Sequence, residues 1–488
     1  MKKNLLICFL LLASTAATAK IRPQKFVNTK LKTDPNFQNA IVGLYAVDDN
    51  GRTIASWNAA APMLTASTLK TVTTGLGMLI LGPNYRFLTR IAYDGKIQKD
   101  TLYGNLYIIG GGDPTLGSKD TTLVAGVDSV FGIWKSAMDK LSIKHIDGNI
   151  IVDDSFFPRE PMIDTWSWGD AGTYYGSAPS GLAFCENSQD IVLFPGEAPG
   201  DSVKAESNYP SLPGFKIIND LSTGPAGTGD QSMYYTSDLA RTGHLTGTVA
   251  SDKDSVLYDC SNKFPQISCG EEFRKYISAN GITCKEKIID ICDTTTAPDE
   301  AKFCIAETKS PKLSDIIYVT NHISNNFFAE TILRTIGKKE TGSGSLDSSL
   351  VAVNRILDSL GIDRHGLKMA DGCGLSRQNY VSPEFLCRFY TFMQKCSIFD
   401  AYINSLPSPG SRGTLKYVLY KSKPALKNRI HAKSGSLNGV KCYAGFVEKK
   451  QGKGYIKFAV FINNFSCSVS KIRPKLEDFM KSLAEAQN

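Results

Sequence analysis

The two ends of the chain carry apolar patterns typical of buried helices and a buried sheet. Residues 65–81 are mostly apolar, which predicts a helix buried on most of its faces. Residues 313–333 also have helical apolar spacing, with an interruption near Ser324. Apolar runs at 440–447 and 455–461 flank a glycine-containing turn and predict a β-hairpin. The ends therefore predict an α+β structure in which they fold together around one sheet.

Two further helices are expected towards the C-terminus. Ser382 is a suitable N-cap, Pro383 suits the first helical position, and Glu384 places a carboxylate near the positive end of the helix. The last predicted helix is amphipathic. Its apolar face is formed by Ile472, Leu476, Phe479, Met480 and Leu483.

The middle of the chain has a different pattern. Residues 87–305 consist mostly of short alternating segments with frequent Gly, Asp and Pro, and the segments 102–109 and 146–152 are predicted to be strands. This region is therefore predicted to be a β-rich insertion. The length of 488 residues allows roughly three domains.

The N-terminus has the three-part layout of a secretory signal peptide. Lys2 and Lys3 precede an apolar run at 5–13, and Ala17-Thr18-Ala19 is a small-x-small cleavage site. A membrane anchor is the alternative, but this run is about half of the ~20 residues needed to span a bilayer. We expect residues 1–19 to be removed and the exported chain to carry no transmembrane anchor.

Charge and cysteine content change this picture only slightly. The formal charge of +8 falls to +6 without the leader, which is too weak to indicate nucleic acid as a partner. The 12 cysteines become 11, so at least one thiol is free or paired between chains. The sequence contains no CxxC pair, which is the spacing typical of a zinc site, so the cysteine pattern does not indicate zinc. Five cysteines crowd one stretch and are candidates for internal disulfides: Cys260, Cys269, Cys284, Cys292 and Cys304.

Three short motifs carry the candidate chemistry. Neither the HExxH zinc motif nor the GxSxG nucleophile elbow is present. Instead, Ser-x-x-Lys at 67–70, Ser-x-Asn at 324–326 and Lys-Ser-Gly at 433–435 occur in that order. A second Ser-x-x-Lys at 468–471 shows that one such match alone carries little information. The ordered set is the signature of serine β-lactamases and penicillin-binding proteins.

The residue types suit acyl transfer. Ser67 and Lys70 lie on one face of a helix, so a neutral Lys70 amine could take the proton of Ser67. Burial and a second cation, Lys433, would favour that neutral form. The backbone N–H groups of Ser67 and Ser436 could bind a developing oxyanion. The alternative for the first pair is a capped helix with a solvated lysine.

The other motif residues suit substrate handling. Ser324 could relay a proton between Lys70 and the leaving nitrogen, and Asn326 could hold a substrate amide. Lys433, with the hydroxyls of Ser434 and Ser436, forms a candidate site for a terminal carboxylate. The alternatives are a polar turn between helices at 324–326 and an edge-strand charge at Lys433.

Beyond these motifs, the chain resembles the type-4 penicillin-binding proteins, a D-alanyl-D-alanine carboxypeptidase/endopeptidase family, along nearly all of the exported sequence. The third motif has Ser434 where Thr is commoner, and Cys373 stands where the family usually has Ser. The segments that carry the resemblance are 104–107, 110–115, 146–149, 153–157, 166–170, 174–176, 371–377, 381–383 and 412–415.

The resemblance implies a penicillin-recognising serine transpeptidase/β-lactamase-like domain, an antiparallel sheet flanked by helices. Residues 20–86 and 306–488 would form this split catalytic domain. Residues 87–305 would form two nested, smaller β-rich domains inserted between the first and second motifs.

The resemblance also implies a function. The chain would be a periplasmic hydrolase that cleaves terminal D-Ala-D-Ala in peptidoglycan stem peptides, and also their cross-bridges, through an acyl-enzyme on Ser67. It would need no metal or organic cofactor, and β-lactam antibiotics would inhibit it covalently. A β-lactamase and a non-catalytic wall-binding or β-lactam-sensing protein are the alternatives.

Substrate-binding residues follow from the resemblance as well. Ser434, Gly435 and Ser436 would line the substrate cleft on the strand that carries Lys433. Four residues are expected around the diamino-acid side chain of the substrate: Asp153, Phe157, Arg377 and Asn438.

Overall fold

A computed structural model describes residues 22–207, 209–294, 302–450 and 454–486. The expected leader at 1–19 and most of the turn at 451–454 lie outside these ranges. No helix in the described ranges is long and apolar enough to cross a membrane. The α-helices are α1 (Pro23–Phe26), α2 (Lys70–Leu81), α3 (Val127–Lys140), α4 (Trp168–Ala171), α5 (Pro265–Ala279), α6 (Leu313–Ile323), α7 (Asn326–Thr341), α8 (Leu346–Ser359), α9 (Pro383–Met393), α10 (Phe399–Ser405), α11 (Pro424–Lys427) and α12 (Val469–Glu485). The strands are β1 (Ile41–Val47), β2 (Thr53–Trp57), β3 (Leu88–Tyr93), β4 (Lys96–Gln98), β5 (Thr101–Tyr103), β6 (Leu106–Ile109), β7 (His145–Ile146), β8 (Ile150–Asp153), β9 (Ser188–Phe194), β10 (Lys204–Ser207), β11 (Lys216–Gly224), β12 (Met233–Thr236), β13 (Thr242–Ala250), β14 (Val256–Ser261), β15 (Thr283–Cys284), β16 (Ile288–Asp290), β17 (Phe303–Lys309), β18 (Leu367–Lys368), β19 (Tyr380–Val381), β20 (Ile430–Leu437), β21 (Val440–Glu448) and β22 (Tyr455–Asn463).

The sheet at the centre of the structure combines both ends of the chain. Its order is β2-β1-β22-β21-β20, with antiparallel neighbours throughout. Both faces are covered, so β22 is apolar at almost every position: Ala459 and Phe461 pack with the helices on one face, and Phe458 and Val460 with those on the other. The prediction of an α+β structure around a shared sheet is confirmed.

Helices cover this sheet on both faces. Residues of α2 and α6 to α10 pack on one face, and those of α1 and α12 on the other. Ser382 caps α9 by accepting a hydrogen bond from the N–H of Phe385 at 3.1 Å, as its sequence predicts. The predicted interruption near Ser324 separates α6 from α7. The predicted helix at 65–81 begins with a 3₁₀ turn at Ala66–Leu69 and continues as α2.

The middle of the chain forms four smaller sheets around two larger apolar clusters. The sheets β15-β7-β5-β4 and β16-β8-β6-β3-β17 share one cluster with α3 and α5. The sheets β10-β9-β14 and β11-β13-β12 surround the other. The sequence pattern missed α3 and α5, so this region is less purely β than expected. The division into domains at residues 86 and 306 stays a prediction.

The predicted extent of two strands was wrong, because each predicted segment forms two separate strands in the structure. The segment 102–109 is split into β5 and β6, which belong to different sheets. The carboxylate of Asp94 accepts hydrogen bonds from both the backbone and the side-chain N–H groups of Asn105, and this interrupts the strand. The segment 146–152 is also split, into β7 and β8, by a bend in the chain at residues 147–149.

The expected disulfides among the crowded cysteines are absent from the described residues. All five of those cysteines are free thiols. They lie on separate elements: Cys260 and Cys269 are buried in different apolar clusters, whereas Cys292 and Cys304 are exposed. Two cysteines can join only when their Cα atoms approach within about 7 Å.

Candidate active site

Ser67 lies at a strained turn on the edge of the central sheet. Ala66, the residue before it, has a φ of 46°, a left-handed conformation that costs a non-glycine residue roughly 1–2 kcal/mol. Gly374 packs so closely that a Cβ there would lie 2.0 Å from the Ala66 carbonyl oxygen. A Cβ on Gly435 would lie 3.2 Å from the backbone nitrogen of Ser67. Two glycines thus allow the loop at 374 and strand β20 to close around the serine.

Lys70 is fully buried one turn further along, and its amine has three polar contacts. Its Nζ lies 2.9 Å from Ser67 Oγ, 2.6 Å from Asn326 Oδ1 and 2.8 Å from the carbonyl oxygen of Cys373. The last two partners only accept hydrogen bonds, so they use both N–H bonds of a neutral amine. The lone pair of that amine is then left for the proton of the Ser67 hydroxyl.

The electrostatics favour that neutral form of Lys70. Burial lowers the pKa of Lys70 below its usual range, while the acidic neighbours Cys373, Asp371 and Glu330 act in the opposite direction. Burial also raises the pKa of Glu330 to about 7. A base with a lowered pKa is deprotonated in a larger fraction of molecules near neutral pH.

Two buried carboxylates hold the loop that presents the Cys373 carbonyl to Lys70. Glu330 Oε1 accepts hydrogen bonds from the N–H groups of Gly372 and Cys373, at 2.7 and 2.6 Å. Asp371 accepts from the N–H of Gly374 at 2.7 Å. It also accepts from the indole of Trp166 at 2.9 Å. Sequence reasoning missed the role of Glu330, although its place four residues after Asn326 puts it on the same face of α7.

Lys433 joins the third motif to the second. Its Nζ donates to Ser324 Oγ and to the Ser434 carbonyl, both at 2.9 Å. Burial holds the pKa of Lys433 well below its usual range, and the positive charges of Lys70 and Lys441 act in the same direction. Ser324 itself ends α6 in a left-handed conformation, with a φ of 64°. The structure thus brings together all five predicted catalytic residues: Ser67, Lys70, Ser324, Asn326 and Lys433.

The inserted region contacts this site directly. The side-chain amide of Asn325 donates to Glu186 at 2.6 Å, and that of Asn326 donates to the carbonyl of Tyr175 at 2.9 Å. Glu186 lies in a run of three left-handed residues, since Cys185, Glu186 and Asn187 have φ values of 51°, 57° and 52°. This strained turn aims the carboxylate at the second motif, and no short sequence pattern indicated it.

The residues on β20 that were predicted to bind substrate lie beside Lys433. Ser434 is buried and Ser436 is exposed, and Lys441 on β21 donates to Ser436 Oγ at 2.7 Å. Exposed Arg377 donates to the carbonyl of Asn438, just beyond the end of β20, at 2.9 Å. Arg377 and Asn438 are therefore neighbours on the rim of the site.

Asp153 and Phe157 do not reach this rim, and their assignment to the substrate pocket needs correction. Asp153 is buried at the end of β8, where it accepts from the N–H of Ser155 at 3.0 Å and faces Lys302 at 4.0 Å. Phe157 packs against Phe156 and against Gly344, on the loop after α7. Burial against neighbouring elements leaves neither side chain available to a substrate at Ser67.

A different carboxylate lies beside the site. The hydroxyl of Tyr175 donates to Asp170 at 3.2 Å, and the carbonyl of Tyr175 accepts from Asn326. Asp170 is partly exposed, and its pairing with Tyr175 places it near the second motif. Asp170 and Tyr175 belong to the segments 166–170 and 174–176, and the resemblance of these segments to the family was the sequence signal that could have indicated them.

Two groups in the described residues have ligand atoms close enough for a metal ion, but both are already engaged. Asp154 and Asp290, near Cys292, share the guanidinium of Arg159. The second group consists of Glu330, Asp371 and Cys373, whose carboxylates accept backbone N–H groups. In the first group the exposed Arg159 pairs with both carboxylates, and in the second group peptide N–H groups donate to Glu330 Oε1 and to Asp371, whereas Glu330 Oε2 has no hydrogen-bond partner among the described residues.

Together, a serine hydroxyl, a buried amine within hydrogen-bond distance of it, and a neighbouring Ser–Lys pair have the arrangement that serine acyl transfer requires. A model of the D-Ala-D-Ala carboxypeptidase 3 (S13) family matches residues 24–485, so the chain belongs to that family. This confirms the family resemblance, and with it the class of serine-type carboxypeptidases.

Two individual relatives also match most of this chain. A D-alanyl-D-alanine carboxypeptidase of Actinomadura sp. (strain R39) is 26% identical over 448 residues, which are 89% of this chain and 79% of the relative. The D-alanyl-D-alanine carboxypeptidase DacB of Haemophilus influenzae is 26% identical over 432 residues, which are 87% and 86% of the two chains.

Solved structures show the same fold. The crystal structure of penicillin binding protein 4 (dacB) from H. influenzae superposes with a TM-score of 0.79 at 23% identity, covering 95% of this chain and 98% of the other. The same protein complexed with a β-lactam gives a TM-score of 0.75 at 22% identity, with the same coverage. These likenesses are evidence for the fold of this chain.

Proposed function

We propose that this protein is a serine D-Ala-D-Ala carboxypeptidase that also cleaves peptidoglycan cross-bridges. One observation carries the proposal: two acceptor-only partners of the fully buried Lys70 amine, Asn326 Oδ1 and the Cys373 carbonyl, leave its lone pair to Ser67. Family membership supplies the substrate class, a peptide that ends in D-Ala-D-Ala.

The proposed acylation follows from this arrangement. Lys70 takes the proton of Ser67 as Oγ attacks the carbonyl carbon of the penultimate D-Ala. The N–H groups of Ser67 and Ser436 stabilise the oxyanion, and the close approach of Gly435 to Ser67 supports this pairing. A proton passes through Ser324 to the leaving D-Ala nitrogen. Water then hydrolyses the acyl-enzyme.

Lys433 has two roles in the proposal. Its side-chain amine, protonated when the negatively charged substrate carboxylate is bound beside it, binds that terminal carboxylate together with the hydroxyls of Ser434 and Ser436. Its contact with Ser324 Oγ aligns the proton relay. A β-lactam enters the same cleft because it also presents a carboxylate beside a reactive amide, and its acyl-enzyme would be long-lived.

Recognition of the diamino-acid side chain is assigned to the rim. Arg377, with Asn438 beside it, would bind the carboxylate of that side chain, and Asp170 would bind its amine. Asp170 replaces Asp153 in this role because it lies at Tyr175, next to Asn326. With the predicted leader and peptidoglycan as substrate, the periplasm is the proposed location.

Mass spectrometry of purified muropeptides after incubation with the protein tests the proposal. Loss of one D-Ala from pentapeptides demonstrates carboxypeptidase activity, and conversion of cross-linked dimers to monomers demonstrates endopeptidase activity. Ser67→Ala is the matched control and should give neither product. If the wild-type protein gives neither product, the proposal fails. Rapid turnover of penicillin would instead identify a β-lactamase.

A further inference from the structure

A second groove, in the inserted region, is lined by aromatic and hydroxyl side chains. It encloses about 570 Å³ between the short helix α4 and the ends of β12 and β13. The side chains important here are Trp168, Tyr235, Thr236, Ser237, Thr242 and His244. None of them belongs to the Ser67 site.

A stacked aromatic pair forms the floor of this groove. The ring of Trp168 lies on that of Tyr235, with centroids 6.4 Å apart and planes inclined by 16°. Trp168 is nevertheless 57% exposed. An exposed indole held flat by a second ring offers a rigid apolar face at little further entropic cost, which is a feature of binding surfaces.

The groove is also uncharged. No Lys, Arg, Asp or Glu lines it, and the imidazole of His244 is paired with Asp220 at 2.7 Å. Nucleic acids and charged peptides require ionic partners that this groove does not offer. A sugar chain fits better, because each pyranose ring has an apolar C–H face for the indole and hydroxyl edges for Thr236, Ser237 and Thr242.

The groove is connected rigidly to the active site. A Cβ on Gly172, just after α4, would lie 1.7 Å from the carbonyl oxygen of Tyr234 in β12, so the two elements touch. Backbone hydrogen bonds from Thr173 to Asp170 and from Gly176 to Thr173 continue the chain in tight turns. Tyr175 then contacts Asn326. Tyr175 lies seven positions after Trp168 in the chain, a span of at most about 25 Å.

We propose that this groove binds the glycan strand of peptidoglycan while a stem peptide from the same strand occupies the Ser67 site. The proposal rests on the proposed function, since only a peptidoglycan substrate carries both parts. It adds a sugar subsite, formed by Trp168 and Tyr235, to the peptide site.

Calorimetric titration with peptide-free glycan strands, prepared by removing the stem peptides with an amidase, tests this proposal. Trp168→Ala and Tyr235→Ala should each weaken binding by roughly tenfold, the loss of one aromatic contact. Trp168→Phe keeps a stacking ring and should stay close to the wild-type affinity. Tyr417→Ala is the matched control, because Tyr417 is 63% exposed elsewhere on the surface and should not affect binding.

A second measurement separates this proposal from the proposed function. All four variants should hydrolyse a soluble, sugar-free stem peptide at the wild-type rate, which also shows that they are folded. Wild-type affinity of Trp168→Ala for glycan strands, or no binding by the wild-type protein, overturns the groove assignment and leaves the peptidase assignment intact. Trp168-dependent glycan binding without peptide hydrolysis would instead overturn only the peptidase assignment.

Discussion

The side-chain amine of Lys70 lies 2.9 Å from the hydroxyl oxygen of Ser67, and no part of Lys70 is exposed to solvent. This geometry supports the proposal that Lys70 is the base. Lys70→Met should therefore slow acylation by penicillin about 10²- to 10⁴-fold, the usual effect of losing a general base. Stopped-flow measurement of acylation checks this. The exposed Lys471 of the second Ser-x-x-Lys is the control, and Lys471→Met should react at the wild-type rate. Equal slowing in both variants would contradict the assignment.

Glu330 should set the pH dependence of this base. Acylation requires neutral Lys70, so its rate rises with pH and levels off above the pKa of Lys70, which burial places below the usual range. The negative charge of Glu330 raises that pKa, so Glu330→Gln should move the midpoint of the acylation profile to lower pH.

A pH series of acylation rates measures this shift. Glu340→Gln, at the exposed end of the same helix, is the control and should leave the midpoint unchanged. A Glu330→Gln midpoint at the wild-type value or at higher pH would show that Glu330 does not act on Lys70 in this way.

Glu186, in the inserted region, should affect the rate of acylation at Ser67. Removing its carboxylate leaves the partly buried amide of Asn325 without this acceptor and loosens the loop that carries Ser324 and Asn326. Glu186→Ala should lower the acylation rate by roughly tenfold. Glu197→Ala, exposed in the same region, should have no effect. If Glu186→Ala and Glu197→Ala are acylated at the same rate, the insertion does not position the second motif.

Asp170 should determine specificity for the diamino-acid side chain. Asp170→Asn should lower kcat/KM by roughly tenfold for peptides whose third residue carries a free side-chain amine. It should leave peptides with norleucine at that position unaffected, because these have no amine to bind. Asp164→Asn, exposed in the same segment, is the control. Equal loss on both substrates would assign Asp170 a structural role only.

Local signals predicted the parts of the fold that depend on local physics. The cap at Ser382, the break at Ser324 and the apolar run in β22 are properties of neighbouring residues, and all three occur in the structure. The split of 102–109 depends instead on a hydrogen bond between Asp94 and Asn105, 11 residues apart, which no apolar periodicity records.

The residues of the candidate site also fall into two groups, those that short sequence motifs indicate and those that depend on contacts between distant segments. Ser67, Lys70 and Lys433 lie in short motifs, and the sequence indicated them directly. Glu330 and Glu186 act through contacts with distant segments, on the Cys373 loop and on Asn325. Asp153 was assigned by resemblance alone, and in sequence Asp153 and Asp170 are both acidic residues near aromatic ones. Only the packing of β8 separates them.

The central claim is that Ser67 is the acylated nucleophile. Its most direct test is intact-protein mass spectrometry after treatment with penicillin, followed by peptide mapping of the adduct. The account predicts one penicilloyl group per chain on the peptide that contains Ser67, and none in Ser67→Ala, whereas Ser468→Ala in the second Ser-x-x-Lys still forms the adduct. An adduct that persists in Ser67→Ala, or maps to another residue, would contradict the account.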